Sequence, residues 1–369
     1  MYHLAFPLVV GLIVIALAFD FLNGLHDAAN SIATVVGTRL ISPAGAVAFA
    51  AFFNFAAYFL ALKWPELHNV AETIGKGLVD KDVVTPAVVF GALIGAMFWN
   101  VVTWVKGIPS SSSHALVGGI VGAGIAHAGF PSIQWLGLNK TLIAIVLSPV
   151  LGLILTMGIM LVTSWLFVRA SARGSERTFR GLHLVSSGTL SLSHGLNDAQ
   201  KTMGLITVLL YSTGYLQGHF HVPNWVALSC YIAMGLGTLT GGWRVIETMG
   251  TRITTLSQHQ GFSASAGASV MLFAASALGI PVSTTHTVTG CVIGAGAARR
   301  ASAVRWGIAG DVAIAWVITI PASGMVAAIF YWLISADFVR AGIVIAAIAL
   351  LGWLSTWMVR RHLPQGESA

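Results

Sequence analysis

Apolar runs of about 20 residues recur along the whole chain, and this recurrence restricts the fold more than any other feature. Five lie in the first half: Leu4–Val36, Pro43–Leu62, Val83–Val105, Ala115–Ala126 and Leu142–Val168. Six follow: Leu182–Leu210, Trp225–Trp243, Ser263–Leu278, Thr287–Ala298, Gly307–Ile334 and Ala341–Val359. Only 8% of the 369 residues are charged and 56% are hydrophobic, whereas soluble domains carry roughly 25% charge. The expectation is an all-α polytopic membrane protein of about 10–12 transmembrane helices. The 41 glycines suit close helix packing and broken helices. The start, Met1 to Ala18, lacks a basic flank and reads as a first membrane segment.

The net charge of +7 is no sign of nucleic-acid binding, because the basic residues sit in short connections between runs. A polar stretch, 169–181, carries Arg169, Arg173, Arg177 and Arg180 and divides the chain into 1–168 and 182–334. With that linker in the cytoplasm, the N-terminus falls outside. Arg39, Lys106, Arg244, Arg252, Arg299, Arg300, Arg305, Arg360 and Arg361 then fall inside, as the positive-inside rule requires. Arg340 is the exception. The expected setting is a plasma (inner) membrane with the C-terminus cytoplasmic, and residues 335–369 forming an extra helix and short tail.

The halves are copies. Gly107–Gly124 aligns with Gly279–Gly296 at an offset of 172, with nine of eighteen positions identical and two more Ser against Thr. At an offset of 171, the stretch from Asn23 to Ser31 meets the stretch from His194 to Thr202. A unit with an odd number of crossings enters the membrane inverted when repeated. Inverted repeats build secondary transporters whose substrate lies near the midplane between broken helices.

The aligned segments carry the polar chemistry. Asp27 and Asp198 lie inside apolar runs, where a carboxylate costs at least about 2.5–3.5 kcal/mol and is a functional candidate. Asn23 and His26 in one copy face His194 and Asn197 in the other, so each copy keeps one Asn and one His in exchanged places. Helical spacing groups Asn23, Asp27 and Asn30, and likewise His194, Asn197, Asp198 and Lys201. Gly24 and Gly195 are expected to allow local unwinding that frees carbonyls. The second aligned pair reads Gly107-Ile108-Pro109-Ser110-Ser111-Ser112-Ser113-His114 and Gly279-Ile280-Pro281-Val282-Ser283-Thr284-Thr285-His286. A break followed by a hydroxyl-rich helix start offers free N–H groups, the positive dipole end and hydroxyl donors to an anion. Ser111, Ser112, Ser113, Ser283, Thr284 and Thr285 are therefore candidate anion ligands, with Gln200 and Lys201. His114 and His286 either orient the loops or touch the anion. Two carboxylates beside such donors repel sulfate, whereas phosphate near neutral pH still carries protons that can donate to Asp.

These motifs resemble those of the inorganic phosphate transporter (PiT) family. Its two inverted Gly-Ala-Asn-Asp-Val-Ala-Asn-like signatures are matched by Gly24–Asn30 and Gly195–Lys201, and its re-entrant phosphate loops by the two Pro-to-His segments. The resemblance covers nearly the whole chain. It implies a secondary phosphate transporter, dimeric, taking up phosphate with a coupling cation and no cofactor. Two departures bear on that cation: His26 stands where Asn is expected, and Lys201 replaces the final Asn. Lys offers donors only, and His titrates near neutrality. Proton coupling through Asp27, Asp198, Asn23, His26, Asn30, His194 and Asn197 is therefore the first expectation, with sodium near Asp27, Asn30 and Asp198 the second. Similar bacterial low-affinity members are regarded as proton symporters that also carry metal-phosphate complexes. Three other readings stand beside it: an intramembrane hydrolase built on Ser113, His114 and Asp27, an anion channel, and a carrier of sulfate or another oxyanion. Cys230 and Cys291 have no partner spacing for a disulfide or a structural metal.

Overall fold

The computed structural model describes residues 5–64, 69–80, 82–218 and 221–335. The run Ala341–Val359, with Arg340, Arg360 and Arg361, lies outside the described residues. The first half supplies α1 (Phe6–Gly37), α2 (Pro43–Lys63), α3 (Asn69–Lys76), α4 (Pro86–Lys106), α5 (Ser112–Ala128) and α6 (Trp135–Leu166). The second supplies α7 (Ala172–Ser212), α8 (Asn224–Thr240), α9 (Trp243–Glu247) with a π-helical turn (Thr248–Arg252), α10 (Gln258–Ala277), α11 (Thr284–Arg299) and α12 (Trp306–Ile334). The starts of α4 and α10, and of α5 and α11, are 172 residues apart, and those of α6 and α12 are 171 apart. The sequence repeat is thus a repeat of elements.

Local signals account for the boundaries. Ser42, Thr85 and Ser257 cap α2, α4 and α10 by accepting first-turn amides, and Pro43 and Pro86 open α2 and α4, where a missing N–H costs nothing. Gly107 and Gly279 end α4 and α10 in the left-handed region, at φ 65 and 64. That conformation reverses the chain into each hydroxyl loop and favours glycine. The charged stretch 169–181 is not a loop: from Ala172 onward it forms the first turns of the 41-residue α7.

The two sets of helices exchange partners. Helix α1 packs on α8 and α7 on α2, while α6 leaves its own half to cover α10 and α11, and α12 covers α4 and α5. Buried small residues allow close approach. A Cβ at Gly24 would sit 2.2 Å from the Met234 carbonyl oxygen, and one at Gly195 would sit 2.5 Å from that of Asn54. Both glycines lie within continuous helix, so the expected unwinding there does not occur. Each instead lets a neighbouring backbone touch the helix that carries the Asp.

Apolar side chains also point outward, among them Val146, Leu161 and Trp165 on α6 and Ile314, Val317 and Trp332 on α12. This suits lipid, not water. Helices α1, α2, α4, α6 and α12 are long and apolar enough to cross a membrane, and α8 with the segment after it, bent by 70°, would make a sixth. Helices α5, α7, α10 and α11 carry more polar residues, because they build the centre.

Candidate functional site

The centre forms where α5 and α11 begin. Ser111 and Ser283 are the N-caps, accepting the amides of His114 (3.2 Å) and His286 (3.1 Å). Each hydroxyl accepts one amide of its helix start and keeps its own hydrogen to donate. The His114 and His286 rings meet edge to face with centroids 4.2 Å apart, so the two helix starts converge on one point. His286 also stacks on Trp316 at 3.7 Å. Its Nδ1 lies 3.5 Å from the Ile145 carbonyl, the acceptor that Pro149 leaves without a helical donor.

Helix α1 brings its Asp to the first loop. Ser112 Oγ lies 2.6 Å from Asn23 Oδ1 and 2.7 Å from Asp27 Oδ2. His26 Nδ1 lies 2.8 Å from Asp27 Oδ1, and its Nε2 is 3.1 Å from Thr103 Oγ1, a hydroxyl that Ser110 joins at 2.8 Å. Helix α7 brings its Asp to both loops. Thr284 donates to Asp198 Oδ2 (3.2 Å), and Lys201 Nζ bonds Asp198 Oδ1, Ser113 Oγ (2.5 Å) and the Val282 carbonyl (3.2 Å). Three acceptors use all three ammonium donors. In this arrangement Lys201 neutralises Asp198 and keeps no donor for an anion. Asn30 crosses to the other half, donating to Thr284 (3.1 Å) and Thr285 (3.0 Å).

Asp27, His194 and Asp198 each offer a ligand atom within 4.8 Å of the others, a His-and-carboxylate set that a divalent ion would accept. His194 is placed there by Asn54, 3.1 Å from its Nδ1. Two expected residues turn away. Asn197 donates to Ser276 on α10 (3.2 Å), and the Gln200 amide donates to the Leu196 carbonyl of its own helix (2.7 Å). Thr103, Asn54, Ser276 and Trp316 were not legible as partners, because nothing local in the sequence ties them to the motifs, and Ser110, inside the first loop, was not among the candidate ligands. Asp20, absent from the candidates above, carried a signal in the sequence: it precedes Asp27 by seven residues, two turns along the same face.

What remains for a cargo is the equipment of an oxyanion site. The first-turn amides of two convergent helices have no intrahelical acceptor, and of these only those of His114 and His286 are taken by the caps. The Ser113 and Thr285 hydroxyls accept from Lys201 and Asn30, so their own hydrogens are left to donate. Nearly every group named is buried, with Asp198 0% and Asp27 1% exposed. An all-helical membrane protein with interlocked halves and a sealed, donor-rich centre between two helix starts belongs to the class of membrane carriers of small anions.

Comparison with known proteins fixes the family. The profile of the phosphate transporter family matches residues 23–327. A protein of Rhizobium meliloti named "Probable low-affinity inorganic phosphate transporter" is 59% identical over 337 residues, covering 91% of this chain and 98% of its own length. A Bacillus subtilis protein of the same name is 38% identical, covering 90% of this chain and 98% of its own length. A solved structure described as "The sodium-dependent phosphate transporter" superposes with a TM-score of 0.80 at 25% identity, covering 89% of this chain and 99% of that one. The chain belongs to the phosphate transporter family, and it is a transporter, not an enzyme.

Proposed function

We propose that this chain imports inorganic phosphate by proton symport, through alternating access between two inverted halves. The observation that carries the proton is the Ser112 contact pair. One hydroxyl hydrogen cannot serve Asn23 Oδ1 at 2.6 Å and an ionised Asp27 Oδ2 at 2.7 Å equally well. A proton on Asp27 that donates to Ser112, with Ser112 donating to Asn23, satisfies both. Phosphate enters between the starts of α5 and α11, bound by their amides and by Ser113 and Thr285. Lys201 supplies positive charge from within the protein where a mobile cation would otherwise neutralise Asp198. As phosphate arrives, the ammonium can exchange one of its oxygen partners for the anion. Release to the cytoplasm follows when the halves rock about the centre and Asp27 gives up its proton.

The test is ion replacement in proteoliposomes. Uptake should collapse with a protonophore and persist when choline replaces sodium; the reverse result overturns proton coupling. Sodium coupling is the second reading, favoured by the likeness to a sodium-dependent transporter. A metal-phosphate cargo is a further refinement, supported by the Asp27, His194 and Asp198 donor set, and would show as co-transport of the metal with labelled phosphate. A homodimer in the plasma membrane, N-terminus outside, completes the reading. Accessibility of single introduced cysteines tests the orientation, and mass measurement in detergent tests the dimer.

A further inference from the structure

A third intramembrane acid lies outside the centre. Asp20 is fully buried at 0% exposure, in α1, fourteen residues into a 32-residue helix. It accepts a hydrogen bond from Thr202 on α7 (Oγ1 to Oδ1, 3.0 Å). Its Oδ2 has no hydrogen-bond partner among the described residues. No Lys, Arg or His forms an ion pair with it there either. Phe19, Met203, Ile206, Cys230 and Tyr231 form the apolar core at this level. An ionised carboxylate so placed, with the Thr202 hydroxyl as its close donor, the Asn23 amide and Cys230 thiol as weaker ones and no cation paired with it, is costly enough to favour the neutral acid. The bare Oδ2 is then the oxygen that bears the proton.

The fold does not require an acid at this position. The offset of 171 that superposes the Asp motifs carries Asp20 onto Ser191, also fully buried, whose hydroxyl bonds the Ser187 carbonyl of its own helix at 3.0 Å. The other copy therefore solves the same packing problem with a small residue satisfied locally. Asp20 also has a physical line to the centre. It shares the α1 face of Asn23 and Asp27, and its hydroxyl donor, Thr202, follows Lys201 directly on α7.

We propose that Asp20 is a second proton-carrying group of the transport cycle, protonated in the state seen here. The step is a simple protonation: a proton from the high-proton side forms the Oδ2–H bond, and the same bond breaks to release it to the other side. No other bond changes. Loading at Asp20 and at the Asp27–Ser112 pair would be coupled through α1 and through Thr202. The titratable groups facing Asp20 are Asp198 from α7, Cys230 and Tyr231 from α8, and Tyr58 of α2 behind Tyr231; Asp27 lies on its own helix. Helix α4 has no titratable residue apart from Lys106 at its end. Lys201, beside Thr202 on α7, is committed to Asp198, and no cation pairs with Asp20 among the described residues.

This inference rests on the proton-symport reading, and two measurements separate them. Infrared spectroscopy of the purified full-length protein at neutral pH should show a buried protonated-carboxyl band that Asp20→Asn removes. Transport in proteoliposomes should show proton-driven accumulation falling about tenfold or more in Asp20→Asn, while phosphate–phosphate counterflow, which needs no net proton movement, stays within about threefold of wild type. Thr202→Val, which removes the donor and keeps the acid, should shift the pH midpoint of accumulation without abolishing it. If Asp20→Asn does not yield folded protein, Asp20→Ser, the residue of the second copy, takes its place. An unchanged infrared band, or wild-type accumulation and pH profile in the substituted protein, overturns the proposal. A wild type insensitive to a protonophore overturns symport instead, and the infrared band then still reports Asp20.

Discussion

Asp27 and Asp198 hold the same place in two copies of one motif, yet the protein treats them in opposite ways. Asp27 is surrounded by neutral and titratable partners: the Ser112 hydroxyl, with Asn23 competing for it, and His26. Asp198 is bonded by a fixed cation, Lys201, and by Thr284. The neighbours of the first acid are hydroxyl, amide and imidazole groups that can rearrange their hydrogens around it. The second is locked in an ion pair whose cation already has three acceptors. Duplication thus supplied a symmetric scaffold, and a few substitutions made its two halves chemically unequal. Lys201 against Asn30 is the largest of these, since it adds a full charge to one copy alone.

The difference should show first in stability. Asp198→Asn leaves the Lys201 ammonium buried without its carboxylate, which should cost about 3–5 kcal/mol and abolish uptake. Adding Lys201→Met should restore most of the thermal stability and none of the transport. A single variant as stable as wild type in detergent would show that the ion pair is not what distinguishes the two acids. Asp27→Asn is the contrasting case. The amide N–H can donate to Ser112 as the protonated acid does, so the loss should stay below about 1.5 kcal/mol while phosphate uptake disappears. Normal uptake in this variant would remove the carboxylate from the cycle.

Smaller effects test the loops. Ser113→Ala and Thr285→Val should each raise the KM for phosphate about tenfold, the loss of one hydrogen bond to a charged ligand, with little change in maximal rate. An unchanged KM would place the anion elsewhere. His114→Gln and His286→Gln remove only a ring contact, worth about 0.5–1.5 kcal/mol, and should change KM by about threefold or less. A loss as large as that of the Ser113 variant would mean that the rings touch the cargo.

Much of this was legible along the chain. The long apolar runs became α1, α2, α4, α6 and α12, because a membrane helix is encoded locally by length and hydropathy. The Gly-Ile-Pro breaks became left-handed helix ends followed by Ser111 and Ser283 caps, because turn and cap chemistry is also local. One reading failed. Gly24 and Gly195 looked like points of unwinding and are points of helix contact. Whether a glycine opens a helix or admits a neighbour depends on what packs against it, and that neighbour, Met234 or Asn54, lies far away in sequence.

The sequence by itself determined the membrane class, the duplication, the paired acids and the hydroxyl-rich helix starts, since periodicity, composition and repeated motifs act over a few turns of chain. Only the tertiary structure decided who meets whom. It sends Asn30 to Thr284 across 254 residues, brings Lys201 to Ser113 across 88, and sets Asp20 against Thr202 across 182. Those pairings follow from the exchange of helices between halves. That exchange is set by the shapes of distant surfaces fitting together, to which no local pattern of residues is sensitive.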